Sequence, residues 1–352
     1  MELKIGLIGC GTVGTGLLEI LEKKTEYLKD KFGFEAKIVA VTDKIKGSIL
    51  APEGVNIKKL LALLNDGKRI DQYSGKNEKA ETIDPLDMIE KCEADVIAEL
   101  TYTDIRTGEP ATGYIKKALR TGKHVVTSNK GPAALYYSEL RKMADQNNLF
   151  FRIEGTVMSG TPVFSLFETG LAGNEIREVK GILNGTTNFI LTKMELDNMD
   201  YAEALKLAQK LGYAEADPTA DVEGYDAVAK IVILSNVLLD GELTPEDVRR
   251  EGITALTREH ILTAKDQGFR YKLIAQAKKP GDSVEASVSP QKLSLSDPLA
   301  EIMGAQNALT FDLDLLGKVT IQGAGAGKIE TGYSILADIL AIHRRLKKQE
   351  FR

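Results

Sequence analysis

Tryptophan is absent from this chain of 352 residues, cysteine occurs twice and histidine three times. Cys10 and Cys92 lie far apart, without a CxxC or a Cys/His array, which excludes a disulfide framework and a zinc site of ordinary spacing and fits a reducing cytoplasm. No apolar run is long enough to span a membrane, and the N-terminus enters a strand pattern almost at once, so neither an anchor nor a leader peptide is expected. Long basic runs, low-complexity segments and fixed-period repeats are also missing. With a net charge of -5 spread over both signs, nucleic acid and anionic membranes are not the expected partners, and small molecules are. What remains is an ordinary globular composition, 43% hydrophobic and 28% charged, at a length that suits two domains.

Residues 3–8 (LKIGLI) form an apolar strand pattern, followed directly by Gly9-Cys10-Gly11-Thr12-Val13-Gly14 and by Val13, Leu17, Leu18 and Leu21 at helical spacing. This is GxGxxG in the context it requires, a strand before and a helix after. The first glycine makes the tight turn, the second admits a pyrophosphate to the backbone and the third lets helix and strand pack closely. A second strand, residues 37–42, ends at Asp43, an acid placed to accept hydrogen bonds from an adenosine ribose. Lys44 and Lys46 follow it, either to meet a 2′-phosphate or as solvated loop charges, so NAD and NADP stay equally open.

Residues 45–94 are mixed and polar, with turns expected at Pro52, Gly54, Gly67 and Gly75. Strands then alternate with helices: strands at 95–100, 123–128 and 149–154, helices at about 108–120 and 132–146. Such alternation makes a parallel sheet with its ligand at the strand C-terminal ends. Those ends carry Thr101, Tyr102 and Thr103, then Ser128, Asn129, Lys130, Gly131 and Pro132. The hydroxyls of Thr101 and Ser128 could meet the cofactor. Lys130, on a loop stiffened by Gly and Pro, either points into the crevice or is a solvated loop lysine. His124 reads as a packed strand residue and His260 as an isolated helix-surface residue.

Beyond residue 150 the pattern changes. Glu154 opens a segment of small residues, 155–162, whose carbonyls and single carboxylate suit a hard cation, or simply a loop crossing between domains. Residues 181–192 (GILNGTTNFILT) carry no charge but hold Asn184, Thr186, Thr187 and Asn188, where a strand runs through Gly185 into a helix. The turn can orient a polar substrate, or Thr186 or Thr187 can merely cap the helix. An amphipathic helix with Tyr201, Ala204, Leu205, Ala208 and Leu211 ends at Gly212. Next come Glu215, Asp217, Asp221, Glu223 and Asp226, and then an apolar helix at 227–239 whose one charge is Lys230. A lysine buried there requires compensation, and Asp226 lies four residues earlier on the same face. Two readings follow, a snorkelling surface pair or a proton-transfer group. Strands at 271–277, 284–288, 308–312 and 318–321 suggest a mixed or antiparallel sheet. Finally, the loop 322–328, with three glycines, precedes an amphipathic helix ending at His343, Arg344 and Arg345, and makes either a nest facing the cofactor or a plain helix entry.

Taken in order, GCGTVG at 9–14, SNKGP at 128–132, GILNGTTNFIL at 181–191, LGYAEADPTADVEGYDAVAK at 211–230 and GAGAG at 323–327 resemble the homoserine dehydrogenase family over nearly the whole chain. The segment ending at Lys230 is the most specific. The resemblance implies NAD(P)-dependent interconversion of L-homoserine and L-aspartate 4-semialdehyde, on the route to threonine, methionine and isoleucine. It implies that Lys230 moves the proton at the substrate oxygen, with Lys130 beside it and Asp226 holding Lys230 or the substrate. Glu215 and Asp221 would take the substrate ammonium, with Thr186 and the backbone near Gly185 and Tyr213. The cofactor set would be Gly9, Gly11, Thr12, Val13, Gly14, Asp43, Lys44, Thr101, Ser128, Lys130, Gly325 and Gly327. A monovalent cation, Na+ or K+, would lie on the Glu154 carboxylate and the carbonyls of Val157, Ser159 and Thr161, although Met158 stands where a small residue is expected. The chain stops at Arg352, so feedback inhibition by threonine through a C-terminal module is not expected.

The fold expected is α/β: a Rossmann-type parallel-sheet domain at 1–150, completed by 323–352, and an α+β substrate and dimerisation domain with a mixed sheet at 151–322, in a homodimer. Two other readings remain, another amino-acid dehydrogenase on this fold, such as one acting on aspartate, and a non-catalytic nucleotide-sensing protein.

Overall fold

The apolar run at the N-terminus becomes β1 (Glu2–Ile8), and the helical spacing after it becomes α1 (Thr12–Phe32), whose length carries β2 (Glu35–Asp43) unusually far from the glycines. The computed structural model describes residues 1–74, 79–80 and 83–350; the turn expected at Gly75 lies outside them. The chain separates into two compact units, Met1–Gly160 with Gly327–Arg352, and Thr161–Ala326.

In the first unit, β3 (Gly47–Leu50), α2 (Ile57–Asn65), β4 (Lys79–Ala80) and α3 (Pro85–Lys91) precede β5 (Val96–Glu99), α4 (Ala111–Arg120), β6 (His124–Thr127), α5 (Lys130–Leu135), α6 (Tyr137–Gln146) and β7 (Phe151–Arg152). The sheet order is β4-β3-β2-β1-β5-β6-β7. Strands β2, β1, β5, β6 and β7 pair in parallel, and β5 and β6 are buried along their whole length, as strands covered on both faces must be. The polar stretch 45–94 supplies what its sequence did not announce: β3 turns back antiparallel to β2, and β4 pairs antiparallel with β3.

The helix expected at 132–146 is two helices, broken where Tyr136 leaves helical geometry. The first begins earlier than its proline suggested, because the Asn129 side chain accepts from the Gly131 N–H and caps it; Pro132 then sits in the first turn, where its missing N–H costs little. Lys130 is therefore a helix residue rather than a loop lysine. The strand expected at 149–154 shortens to β7, since Glu154 enters a single 3-10 turn, Glu154–Thr156. His124 is packed as expected, its ring 5.1 Å from that of Phe150 and its Nδ1 accepting the Phe150 N–H at 3.1 Å.

The second unit holds α7 (Phe164–Thr169), β8 (Ile176–Ile182), α8 (Gly185–Leu196), α9 (Tyr201–Lys210), α10 (Thr219–Val222), α11 (Tyr225–Leu238), β9 (Arg249–Arg250), α12 (Arg258–Asp266), β10 (Phe269–Lys278), β11 (Glu285–Ser294), β12 (Gln306–Leu313) and β13 (Gly317–Ala324). Its sheet, β13-β12-β8-β10-β11-β9, is antiparallel apart from the β11–β9 pair. Helix α11 packs on β10 and β11 with Ile231, Val232, Ile233 and Leu234 all buried, the all-round burial its sequence implied. Gly323 and Ala324 belong to β13 rather than to a loop, and α13 (Lys328–Glu350) continues past Arg345. That last helix packs on α1 within the first unit, through Ile335, Leu336, Ile339 and Leu340 against Leu17, Leu18 and Leu21.

Candidate active site

The turn between β1 and α1 shows why each glycine stands where it does. Gly9 has φ +94°, and a Cβ there would lie 2.5 Å from the Leu100 carbonyl oxygen. A Cβ on Gly14 would lie 2.5 Å from the Gly9 carbonyl oxygen, so helix and turn close on each other only because both lack side chains. Gly11 differs, because a Cβ there would meet no protein atom within 4 Å. Its bareness leaves room for something else. Gly11 also precedes α1 without any side-chain cap, so the N–H groups of the first turn, at Thr12 and Val13, remain directed outward at the positive end of a long helix.

Asp43 and Lys46 grip this turn from β2 and the bend after it. The Asp43 carboxylate accepts from the Cys10 N–H at 2.9 Å and from the Ile45 and Lys46 N–H groups at 2.9 and 3.0 Å. Burial raises its pKa, but those three backbone donors and the Lys46 charge outweigh it and hold the carboxyl below its ordinary value. Lys46 donates to the Cys10 carbonyl at 2.6 Å, so it braces the glycine turn and is not a free loop charge, whereas Lys44 is exposed. The Cys10 thiol is pushed up to about 12 by burial and is not a nucleophile.

At the next strand ends, an acid that belongs to no sequence motif does the organising. Glu99, fully buried, accepts from the Thr101 N–H and hydroxyl and, at 3.0 Å, from the Thr127 hydroxyl. Burial raises its pKa against these donors. The Thr101 hydroxyl is thus turned inward onto Glu99, and the loop at Ser128 is tied to the same point through Thr127 and the Asn129 N–H.

In the second unit the acids that adjoin in sequence differ in exposure and in their partners. Glu215 and Asp217 are exposed; Asp217 caps the Thr219 N–H, and Glu223 pairs with Arg250 at 3.5 Å and accepts from Thr254. Asp221, Asp226 and Lys230 stay together, and Asn184 joins them. Lys230 is buried on α11, its ammonium 2.8 Å from Asp226 Oδ2 and 2.7 Å from the Leu183 carbonyl. The Asn184 amide donates to Asp221 Oδ1 at 2.6 Å and to Asp226 Oδ2 at 3.0 Å, while its oxygen accepts the Thr187 N–H and caps α8. Asn184 therefore takes the capping role expected of Thr186 or Thr187. Thr186 instead donates to the Tyr213 carbonyl at 2.6 Å, tying Gly185 and Tyr213 to one corner. Burial pushes the Asp221 carboxyl up, and the neighbouring Asp226 charge adds to this; Asn184, Lys230 and Thr186 counter them. The result is a lysine held by one carboxylate, beside a second carboxylate able to receive a cation.

Val157 and Ser159, with the Glu154 carboxylate, lie on a buried segment in which Met158 and Ser159 have φ +55° and +52°, the left-handed region that favours glycine. Met158 thus occupies a glycine-like conformation despite its side chain, and Ser159 is pinned by a 2.7 Å hydroxyl contact with Thr331. Thr161 begins the second unit. In the GAGAG segment, Gly325 lies against the fully buried Asn307 carboxamide, and Gly327 lies against the Glu330 carboxylate at the start of α13.

A glycine turn opening a Rossmann sheet, together with a lysine–carboxylate site in a mixed-sheet unit, defines an NAD(P)-dependent oxidoreductase acting on a CH–OH group. The profile described as "Homoserine dehydrogenase, NAD binding domain" matches residues 9–154, and that described as "Homoserine dehydrogenase" matches residues 162–340. The chain is 46% identical to the NAD(+)-dependent homoserine dehydrogenase of Pseudomonas canavaninivorans, covering 99% of each chain. It superposes on the homoserine dehydrogenase of Thiobacillus denitrificans with a TM-score of 0.85 at 33% identity, over 99% of this chain and 74% of that one. A hyperthermophilic archaeal homoserine dehydrogenase in complex with NADPH gives a TM-score of 0.80 at 31% identity, over 97% of both chains. The chain belongs to the homoserine dehydrogenase family, and its activity is the NAD(P)-dependent interconversion of L-homoserine and L-aspartate 4-semialdehyde in amino-acid biosynthesis. No helix among the described residues is long and apolar enough to cross a membrane.

Proposed function

We propose that Lys230 is the proton-transfer residue of this homoserine dehydrogenase. The observation that carries this is the buried ammonium held between Asp226 Oδ2 at 2.8 Å and the Leu183 carbonyl at 2.7 Å. Bound NAD(P) supplies the nicotinamide that accepts or returns the hydride. In reduction, the Lys230 ammonium gives a proton to the aldehyde oxygen as charge develops there; in oxidation the uncharged amine takes the hydroxyl proton, and Asp226 stabilises the ammonium that forms. Lys130 is assigned as the second cation of the reaction. Asp221 and Glu215 receive the substrate ammonium, and Thr186 with the backbone at Gly185 and Tyr213 orients the amino acid. Asp226→Asn keeps the shape and removes the charge; the expected result is a fall in kcat of about a hundredfold, from losing one charge-assisted contact of about 3 kcal/mol, with cofactor affinity retained. An unchanged kcat would refute the assignment.

The cofactor set is assigned as the N–H groups of Gly11, Thr12 and Val13 for the pyrophosphate, shaped by Gly9 and Gly14, with Asp43 for the adenosine ribose and Lys44, Thr101, Ser128, Lys130, Gly325 and Gly327 for the remainder. The anionic Asp43 favours NAD over a 2′-phosphate, in line with the NAD(+) dependence named for the Pseudomonas relative. Asp43→Ser is expected to raise the KM ratio of NAD to NADP about tenfold; a constant ratio would assign the preference elsewhere. A monovalent cation on Glu154, Val157, Ser159 and Thr161, a homodimer formed by the second unit, whose bounds fall at 161 and 326 rather than at the expected 151 and 322, a dinucleotide role for the first unit, and a cytoplasmic setting complete the proposal.

A further inference from the structure

A second buried lysine takes no part in the assignments above. Lys272, on β10, is 1% exposed. Its ammonium donates to Asn188 Oδ1 at 2.9 Å and to the Ile302 carbonyl, and lies 3.4 Å from the Met303 sulfur. Three charged side chains face it: Glu195 from α8, Arg270 from its own strand, and Glu301 from the turn Pro298–Glu301. Arg270 engages both acids, Glu195 at 2.9 Å and Glu301 at 3.2 Å. No carboxylate among the described residues is within ion-pair distance of Lys272. Burial pulls its pKa down to about 8, with Arg270 adding to the fall and the Glu195 and Glu301 charges opposing it, and the ammonium's direct contacts are all to uncharged atoms. So unfavourable a placement points to what the ammonium holds in place.

It holds a loop, residues 302–306, between the Pro298–Glu301 turn and β12. Asn188, oriented by Lys272, donates to the carbonyls at both ends of that loop, Ile302 and Gln306, each at 3.1 Å. The Gly304 N–H donates to Thr192 at 3.0 Å. The loop is thereby pressed onto the first turns of α8, and its Ala305 carbonyl stands 2.7 Å from where a Cβ on Gly185 would be. It forms the floor beneath the Asn184–Gly185–Thr186 turn.

We propose that Lys272 is a positioning residue for the homoserine dehydrogenase reaction: through Asn188 and the 302–306 loop it fixes the backbone at Gly185 for the amino-acid substrate. The inference rests on the assignment of Gly185 and Thr186 to that substrate. Loss of the charge loosens the loop and weakens substrate binding, while the cofactor turn and the Lys230–Asp226 pair keep their own supports.

Steady-state oxidation of L-homoserine at saturating cofactor tests it. In Lys272→Met the KM for L-homoserine is expected to rise about tenfold, with kcat and cofactor KM within about twofold of wild type. In the wild type that KM should climb above pH about 8 as Lys272 loses its proton, and the climb should be absent in Lys272→Arg, which stays charged. The titration of the substrate itself is common to both proteins and cancels. A merely structural lysine would lower the folded fraction without splitting KM from kcat and without moving the pH profile, and that result overturns the proposal. Thr186→Ala, measured alongside, separates the two claims. A raised KM there with an unchanged KM in Lys272→Met removes the clamp alone, whereas unchanged values in both remove the role of the turn and the clamp with it. If Lys272→Met does not fold, the wild-type and Lys272→Arg pH profiles decide, and coincident profiles overturn the proposal.

Discussion

Asn184 caps α8 and serves both carboxylates of the site at once, and replacing it by alanine gives a result with two separable parts. The first is structural: its oxygen caps α8, and loss of an N-cap costs about 1 kcal/mol. The second is electrostatic. The amide nitrogen serves Asp221 at 2.6 Å and Asp226 at 3.0 Å, and a hydrogen bond to a charged group contributes about 1.5–3 kcal/mol where water is excluded. Both carboxylates are partly open to solvent, so water restores some of this, and about 1.5 kcal/mol for each is the figure to expect. Asn184→Ala should thus lose about a hundredfold in kcat/KM for L-homoserine, against only about 1 kcal/mol in stability. The pH dependence gives the sign. Asp221 already titrates above its ordinary value, and Asn184 is the largest of the interactions opposing that rise. Without it the folded pKa rises further, so the ionised carboxylate needed for the substrate ammonium is lost earlier as pH falls, and the acid limb of kcat/KM moves to higher pH. Rate profiles in several buffers together with thermal unfolding measure both parts. An acid limb that stays in place, with activity falling only in proportion to folded protein, would refute the reasoning.

The glycine turn yields a paired prediction. Gly11→Ala should keep the wild-type melting temperature, since its Cβ meets nothing within 4 Å, yet lose at least about tenfold in NAD(P) affinity by calorimetry. Gly14→Ala should lose both, because its Cβ is driven to 2.5 Å from the Gly9 carbonyl oxygen; equal behaviour of the two variants would contradict the roles assigned to them.

Much of this architecture is written locally. Residues 9–14 announce a turn that only glycine can make, and the apolar helix with Asp226 and Lys230 four apart places an acid beside a buried base without further help. Asn129, at a strand end, and Asn184, at a turn, give no signal of their own as caps, yet each is an N-cap, which sets the start of α5 before its proline and gives α8 a cap other than a threonine. In the run of acids from Glu215 to Asp226, sequence adjacency does not reveal that Asp217 accepts from the Thr219 N–H and Glu223 pairs with Arg250 while Asp221 and Asp226 share Asn184. Lys272 and Glu99 were illegible for a different reason. Each sits in a strand or at its end, where an alternating pattern assigns a charge to the solvent side, and only packing by α8, the 302–306 loop or the neighbouring strand ends buries it. The antiparallel edge formed by β3 and β4 is too short to produce a periodic signal.

The central claim is that Lys230 moves the proton, and one measurement addresses it most directly: the initial rate of NADH or NADPH formation from L-homoserine by the wild-type protein and by Lys230→Ala, with cofactor affinity determined on both. The account predicts turnover in the wild type, its loss in the variant, and nearly equal cofactor affinity. A folded Lys230→Ala protein with normal kcat would contradict it.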